Sequence, residues 1–376
     1  MRILEVCPYH LDRPGGVQRH ILDLARALGR AGHDVTVLAP GAPGRERQEE
    51  RDGYRILRLG RFRLWRLHGT AFEAARADAG ELAWLADLHR QTPFAAVHFH
   101  TLWTPWLPWQ VYRLLAGRGP RCVATFHDTP PPSWSGQLAR QAFRLMSRLL
   151  SRRLDAAIAV SDAPASHLWL APNCRLHTLP PCIDLRPLLE ASPPQGDGRT
   201  ILFLGRLEPR KGALLLIRAF ALLRQTHPAA RLCLAGDGAQ AGAARALAAQ
   251  LGVAQAVDFP GAPDEAAKRR LYRAADLFCA PSPYGESYGL VLAEAMAAGL
   301  PVVAAANAGY RTVLTGPGAA GLVAPGDAAA LAARLAALLD APEARRELAA
   351  WGRRQALNTD IHTRLEAFQA VLEGTA

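Results

Sequence analysis

Apolar positions along the chain follow two periods, and the switch between them recurs in both halves. Ile3-Leu4-Glu5-Val6-Cys7 is a nearly continuous apolar run of strand length. A turn at Pro14-Gly15-Gly16 follows, then apolar residues at helical spacing (Ile21, Leu22, Leu24, Ala25, Leu28) as far as Gly32, and then Asp34-Val35-Thr36-Val37-Leu38. Strand, glycine turn, helix and strand make a βαβ unit, whose crossover implies a parallel sheet. Arg55–Leu57, Ala95–Phe99, Cys122–Phe126 and Ala156–Val160 are further strand candidates with helical patterns between them. Ser192-Pro193-Pro194-Gln195-Gly196-Asp197-Gly198 reads as a linker. The alternation then restarts, with strands expected at Ile201–Leu204, Arg231–Ala235, Ala256–Phe259, Leu277–Ala280 and Val302–Ala304. Leu365, Phe368, Val371 and Leu372 define an amphipathic closing helix.

The expected fold is therefore α/β, with two Rossmann-like domains at 1–190 and 191–376, the closing helix belonging to the second segment and crossing back to the first domain. Length agrees, because 376 residues exceed what one core usually supports.

Composition narrows the class. Half of the residues are hydrophobic and a fifth are charged, as in a globular protein with ample core. The six cysteines show no paired or zinc-like spacing and read as reduced core thiols. Glu5 interrupts the opening apolar run before a signal peptide could form, and Glu294, Gly299 and Pro301 interrupt the longest apolar stretch, Leu290–Ala306. A cytoplasmic protein, peripheral at the inner membrane face, is expected. Charge is uneven: 25 basic against 17 acidic residues over 1–190, and 19 against 16 beyond, so an anionic partner is expected for the first half. Arg140, Arg144, Arg148 and Arg152 recur every fourth residue, opposite an apolar stripe of Leu138, Ala142, Leu145 and Leu149, and Arg58, Arg61, Arg63 and Arg66 interleave with Phe62 and Trp65. An anionic membrane surface or plain solvent suits these basic faces; nucleic acid is not expected, since the aromatics do not interleave with bases along one sheet. Trp103, Trp106 and Trp109 read as core or as a lipid or sugar platform.

The densest chemistry lies in Pro283-Tyr284-Gly285-Glu286-Ser287-Tyr288-Gly289-Leu290, which runs into a helix carrying Glu294. Ser287 is expected to cap that helix, leaving first-turn N–H groups for phosphate. Glu286 and Glu294 are placed to accept hydrogen bonds from hydroxyls of a sugar or ribose. Gly205-Arg206-Leu207-Glu208-Pro209-Arg210-Lys211-Gly212 follows a strand, and Arg206 and Lys211 bracket a turn that suits a pyrophosphate, with an Arg206–Glu208 ion pair as the alternative. Lys211 is one of only two lysines in the chain. His127 ends a strand, where ligands gather in parallel sheets. His98 and His100 share a strand face, but with no third ligand near in sequence no metal site is expected there. The Gly15-Gly16 turn is not a GxGxxG dinucleotide fingerprint, and the sequence contains no GxxxxGK[ST] element, which argues against ATP hydrolysis. It has no DxD pair for a divalent ion, so charge on a leaving diphosphate is expected to meet Arg206, Lys211 and helix N-termini.

These motifs together resemble the retaining GT-B glycosyltransferases of family 4 over nearly the whole chain. Cys7-Pro8-Tyr9, Pro14-Gly15-Gly16-Val17-Gln18 and Ala124-Thr125-Phe126-His127 are similar to the phosphatidylinositol mannosyltransferase type. The resemblance implies an acceptor-binding first domain and a nucleotide-sugar-binding second domain facing across a cleft. It places the donor diphosphate on Arg206 and Lys211, helped by Gly16, and the sugar and phosphates on Glu286 and the amides of Ser287, Tyr288, Gly289 and Leu290. It gives Glu294 the ribose, puts Pro263 and Lys268 at the base, and implies that His127, Tyr9 and Gln18 face the sugar or acceptor. Retaining, metal-independent transfer of a hexose follows, with GDP-mannose favoured over a UDP-hexose. The expected acceptor is a glycolipid, a lipid-linked saccharide or a cell-surface polysaccharide. Two departures stand out: Pro181-Cys182-Ile183-Asp184 replaces Asn-Gly-Val-Asp, and Pro130-Pro131-Pro132-Ser133 occupies the region where the inositol enzymes carry a lysine. The competing readings are an epimerase or soluble-acceptor transferase, and a non-catalytic module binding anionic polymers.

Overall fold

Alternating strands and helices make two compact units, Met1–Asp184 with Ile361–Ala376, and Leu185–Asp360. The computed structural model describes all residues except 14, 42–43, 68–69 and 131–133, and the backbone alone at 63–67, 70–73 and 134–135.

The first unit runs β1 (Arg2–Val6), α1 (Gly16–Arg30), β2 (Asp34–Gly41), β3 (Gln48–Arg51), β4 (Tyr54–Leu67), β5 (Thr70–Arg76), α2 (Ala79–Gln91), β6 (Ala96–His100), α3 (Leu107–Leu115), β7 (Arg121–Phe126), α4 (Trp134–Leu150), β8 (Ala156–Ala159), α5 (Asp162–Ala165) and β9 (Arg175–Thr178). Its sheet has the order β3-β4-β2-β1-β6-β7-β8-β9, with β5 hairpinned onto β4. The central pairs are parallel, with Leu4 opposite Thr36 of β2 and Val97 of β6. Strand order reverses at β1, between β2 and β6, and the carboxyl ends of β1, β6 and β7 bring Val6, His100 and Phe126 close to one rim.

The second unit runs α6 (Arg186–Leu189), β10 (Thr200–Leu204), α7 (Ala213–Thr226), β11 (Arg231–Ala235), α8 (Ala241–Gln250), β12 (Val257–Gly261), α9 (Glu265–Ala274), β13 (Leu277–Ala280), α10 (Leu290–Ala297), β14 (Val302–Ala305), α11 (Tyr310–Val313), β15 (Leu322–Val323), α12 (Ala328–Leu339) and α13 (Pro342–Ala356). Its sheet, β12-β11-β10-β13-β14-β15, is parallel throughout. Strands buried on both faces explain the continuous apolar runs of the sequence.

Two expectations need correction. The closing segment, α14 (Ile361–Glu373), crosses back to the first unit as expected, so that unit is not continuous in sequence with a boundary at Glu190, and the division falls at Asp184. Its Ile361, Phe368, Val371 and Leu372 share a core with Ile21, Leu24 and Leu28 of α1. Helix α4 is also turned over. Phe143, Met146 and Leu150 pack on the core, whereas Leu138, Leu145 and Leu149 face solvent. The helix carries two apolar stripes, and the arginines decide which one faces in. Arg144 donates to the Ser166 carbonyl (3.5 Å) and lies over the Trp169 ring, and Arg148 donates to the Leu170 carbonyl (2.6 Å). Their long stems cover apolar surface while their heads find acceptors. Trp103 is core, stacked on Phe143 at 4.4 Å between ring centroids. The side chains of Arg63, Trp65 and Arg66, and Pro14 and residues 131–133 entirely, lie outside the described residues.

Candidate active site

In the second unit, two loops after parallel strands bring the motif residues together. The first follows β10. Leu207 N–H donates to the Asp237 carbonyl, a short 3₁₀ turn covers Pro209–Lys211, and Gly212 turns the chain into α7 at φ +75°. A Cβ there would meet the Pro281 carbonyl oxygen at 2.5 Å, so this position needs glycine.

The second loop follows β13. Ser287 is not the cap of α10: Gly289 is, at φ +118° and with no side-chain hydrogen bond. A serine hydroxyl two residues before the helix was the expected cap, but the left-handed bend of the chain gives that place to glycine. Tyr310 holds the bend, donating its hydroxyl proton to Ser282 Oγ (3.1 Å), while Asn307 donates to the Ser282 carbonyl at 2.8 Å. The side chain of Tyr288 turns inward, its hydroxyl 2.8 Å from Thr359 Oγ1. What Ser287, Tyr288, Gly289 and Leu290 offer a ligand is therefore chiefly backbone.

Both lysines of the chain are spent on the two motif glutamates. Lys211 Nζ donates to Glu286 Oε1 at 2.6 Å, and Lys268 Nζ on α9 donates to Glu294 Oε1 at 2.7 Å. Both carboxylates are largely buried. Arg206 lies 2.9 Å from Glu208, and Arg210 bridges Glu208 (3.3 Å) and Glu286 (3.4 Å). Burial pulls the Lys211 ammonium below its usual range while Glu286 pulls it back up. Five side chains, three cations and two carboxylates, thus pair with one another around this loop. Pro263 lies in the short link before α9, whose N-cap is Asp264. Sequence reasoning missed Arg210, although it stands beside Lys211, and Tyr272, whose hydroxyl donates to Glu294 Oε2 at 3.3 Å.

The first unit gathers the remaining predicted residues at strand ends. Gly16 opens α1. Gln18 donates from Nε2 to the Arg13 carbonyl at 3.1 Å. Tyr9 is hydrogen-bonded to Thr101 and Thr104, and burial pushes its phenol far above the ordinary range. His127 Nε2 lies 3.2 Å from His100 Nδ1. His100 Nε2 lies 2.7 Å and His98 Nδ1 2.9 Å from the same oxygen of buried Glu5. Burial, reinforced by the neighbouring imidazoles, holds His127 well below the usual value, so it is a neutral ring at pH 7. Glu5, His20, His98 and His100 were not singled out for this site, because nothing in their sequence spacing announces a meeting.

Residues 14–186 match Glycosyltransferase Family 4, and residues 187–355 match Glycosyl transferases group 1. A phosphatidyl-myo-inositol mannosyltransferase of Mycolicibacterium smegmatis is 35% identical over 350 residues, covering 90% of this chain and 85% of that protein. A D-inositol 3-phosphate glycosyltransferase of Frankia alni is 31% identical, covering 89% and 88%. Among solved structures, a sucrose-phosphate synthase of Thermosynechococcus elongatus superposes with a TM-score of 0.78 at 21% identity, covering 100% of this chain and 98% of that one. HepE of Anabaena in complex with UDP-glucose does so with a TM-score of 0.77 at 18% identity, covering both chains fully. Two Rossmann-like units, a loop of paired cations and carboxylates, and these likenesses lead to one assignment: the chain belongs to the family 4, group 1 glycosyltransferases of the GT-B fold.

Proposed function

We propose that the protein transfers mannose from GDP-mannose, with retention of configuration and without a divalent ion, to a lipid-anchored acceptor. The observation that carries this reading is the pairing of Lys211 with Glu286 beside Arg206 and Arg210. Leaving-group charge is met there by fixed cations and by the first amides of α10, a preorganised arrangement of the oxyanion-hole kind. The C1–oxygen bond to the diphosphate breaks while the acceptor oxygen bonds to C1 on the same face. The acceptor proton passes to the departing phosphate oxygen, so no enzyme base is needed. Glu286 accepts hydrogen bonds from the sugar once the donor engages Lys211 and Arg210. Glu294 accepts from the ribose, with Pro263 and Lys268 beside the base. Within the first unit, Gly16 is the candidate for phosphate contact, and His127, Tyr9 and Gln18 are the candidates for contact with sugar and acceptor. Mannose is favoured by the mannosyltransferase relatives, with a UDP-hexose as the competing donor.

Among the described residues no helix is long and apolar enough to cross a membrane. For contact with an anionic bilayer at the cytoplasmic face, the candidate surface is α4. Its exposed Leu138, Leu145 and Leu149 offer apolar area, flanked by exposed Arg148 and Arg152. A lipid-linked saccharide is the acceptor proposed here, because the sequence lacks the lysine of the inositol enzymes near Pro130–Ser133.

The test is transfer from labelled GDP-mannose and UDP-glucose to phosphatidylinositol, to a lipid-linked saccharide extract and to a soluble sugar, with the product anomer read by NMR. An α-linked product from GDP-mannose in EDTA supports the reading. Inversion, a metal requirement, or donor breakdown without transfer overturns it, and phosphatidylinositol as sole acceptor replaces the acceptor proposed.

A further inference from the structure

Three histidines of the first unit meet in a geometry that the proposed transfer, which uses only His127 among them, does not explain. His20 comes from α1, His100 from the end of β6 and His127 from just beyond β7. Their ring centroids form a near-equilateral triangle, 5.6 Å from His20 to His100, 5.6 Å from His20 to His127 and 5.5 Å from His100 to His127. One nitrogen of each lies within 4.8 Å of the others. A tetrahedral ion with metal–nitrogen bonds near 2.0–2.1 Å sets its ligand nitrogens about 3.3 Å apart and imidazole centroids about 5 Å apart. The His100 Nδ1 to His127 Nε2 separation is 3.2 Å.

The outer partners fix which nitrogens face inward. His100 Nε2 donates to Glu5 Oε2 at 2.7 Å, which leaves its Nδ1 lone pair toward His127. His20 Nδ1 is 2.7 Å from the Cys182 carbonyl oxygen and 3.1 Å from the Cys182 amide nitrogen. The shorter contact is to an atom that can only accept, so Nδ1 carries the proton and Nε2 is bare. That Nε2 is buried and has no hydrogen-bond partner. A carboxylate behind one imidazole and a carbonyl behind another are the usual second partners of metal-bound histidines.

We propose that His20, His100 and His127 form a three-nitrogen site for a divalent transition ion of the zinc class, with the fourth position open at half-buried His127. Loading needs the neutral His127 tautomer with its proton on Nδ1, so that Nε2 presents a lone pair to the ion. The site is built wholly from residues of the first unit. Its test is independent of activity.

Full-length protein, freed of metal with EDTA and desalted, is titrated with Co²⁺ and followed by visible absorption, then with Zn²⁺ by calorimetry. Zinc-edge X-ray absorption on the loaded protein counts the nitrogen ligands. One ion per chain, a tetrahedral cobalt spectrum and three imidazole ligands are expected. His20→Gln should weaken binding at least tenfold, and Glu5→Gln, acting through His100, by about ten- to a hundredfold. Octahedral cobalt, or binding that His20→Gln leaves unchanged, overturns the site and assigns the ion to exposed histidines. If His20→Gln does not fold, the ligand count on the unaltered protein decides alone, and fewer than three imidazoles ends the proposal.

Discussion

The polar clusters of the two units are built in opposite ways. In the second, every member lies in one of three short stretches, 206–211, 265–272 and 286–294, and most contacts are ion pairs between partly exposed cations and largely buried carboxylates. In the first, the members lie at positions 5, 20, 98, 100 and 127, are mostly fully buried, and meet through imidazole hydrogen bonds. In the proposed reaction one cluster exchanges its internal pairs for a ligand's charges. The other is part of the core and loses stability when any member is removed.

Stability gives the largest expected contrast. Glu5→Ala deprives buried His100 of its acceptor, so the urea midpoint should fall by the equivalent of about 1–3 kcal/mol. Arg206→Ala removes a partly exposed cation paired with Glu208 and should cost about 1 kcal/mol or less, leaving the fold intact. Equal losses for the two variants would erase the distinction.

Turnover reverses the contrast. Arg206→Ala, Lys211→Ala and Glu286→Ala should each lower kcat about a hundredfold, the scale of one lost oxyanion-hole donor. Lys211→Arg should not restore it, because a planar fork does not replace a compact ammonium against a single carboxylate oxygen. Near-normal kcat in all of the alanine variants would remove the proposed mechanism. Smaller again is Tyr272→Phe, which leaves Glu294 one hydrogen bond short and should raise the donor KM roughly three- to tenfold with little change in kcat, about 0.5–1.5 kcal/mol.

This difference also explains what the sequence made legible. Buried parallel strands announce themselves as apolar runs, so β1, β2, β6, β7, β8 and the first five strands of the second sheet stand out. The missed strands β3 and β9 are short and largely exposed, and β5 (Thr70–Arg76) is alanine-rich and pairs only with β4. In the second unit the loops that carry Arg206, Lys211 and Glu286 are continuous in sequence, so composition alone marks them. The histidine cluster depends on strand order, which places β1 beside β6 and β6 beside β7. Pattern reading located His98 and His100 on one face, but α1 supplies His20 from the far side of a crossover. Helix α4 misled for another reason. Both of its faces carry apolar residues, and the Ser166 and Leu170 carbonyls that accept from Arg144 and Arg148 are invisible in a helical wheel.

The glycines of the two motif turns give the finest test. Gly289 sits at φ +118°, and a Cβ there would lie 2.7 Å from the ring of Tyr310, itself held by Ser282 and Asn307. Gly289→Ala therefore combines backbone strain of about 1–3 kcal/mol with a clash against a fixed ring, and should lower both stability and donor affinity. Gly15 looks equivalent in sequence, standing before a helix in the first unit, yet its φ of −168° is ordinary extended backbone. The added methyl would meet only the side-chain amide of Gln18, at 2.3 Å, and that amide can swing away. Gly15→Ala should thus cost about 1 kcal/mol or less, mostly the poorer N-cap, and a thermal melt of the two variants side by side measures the gap. A Gly15 variant as damaged as the Gly289 variant would mean that the first turn is held as tightly as the second, and that the looseness assigned to it here is wrong.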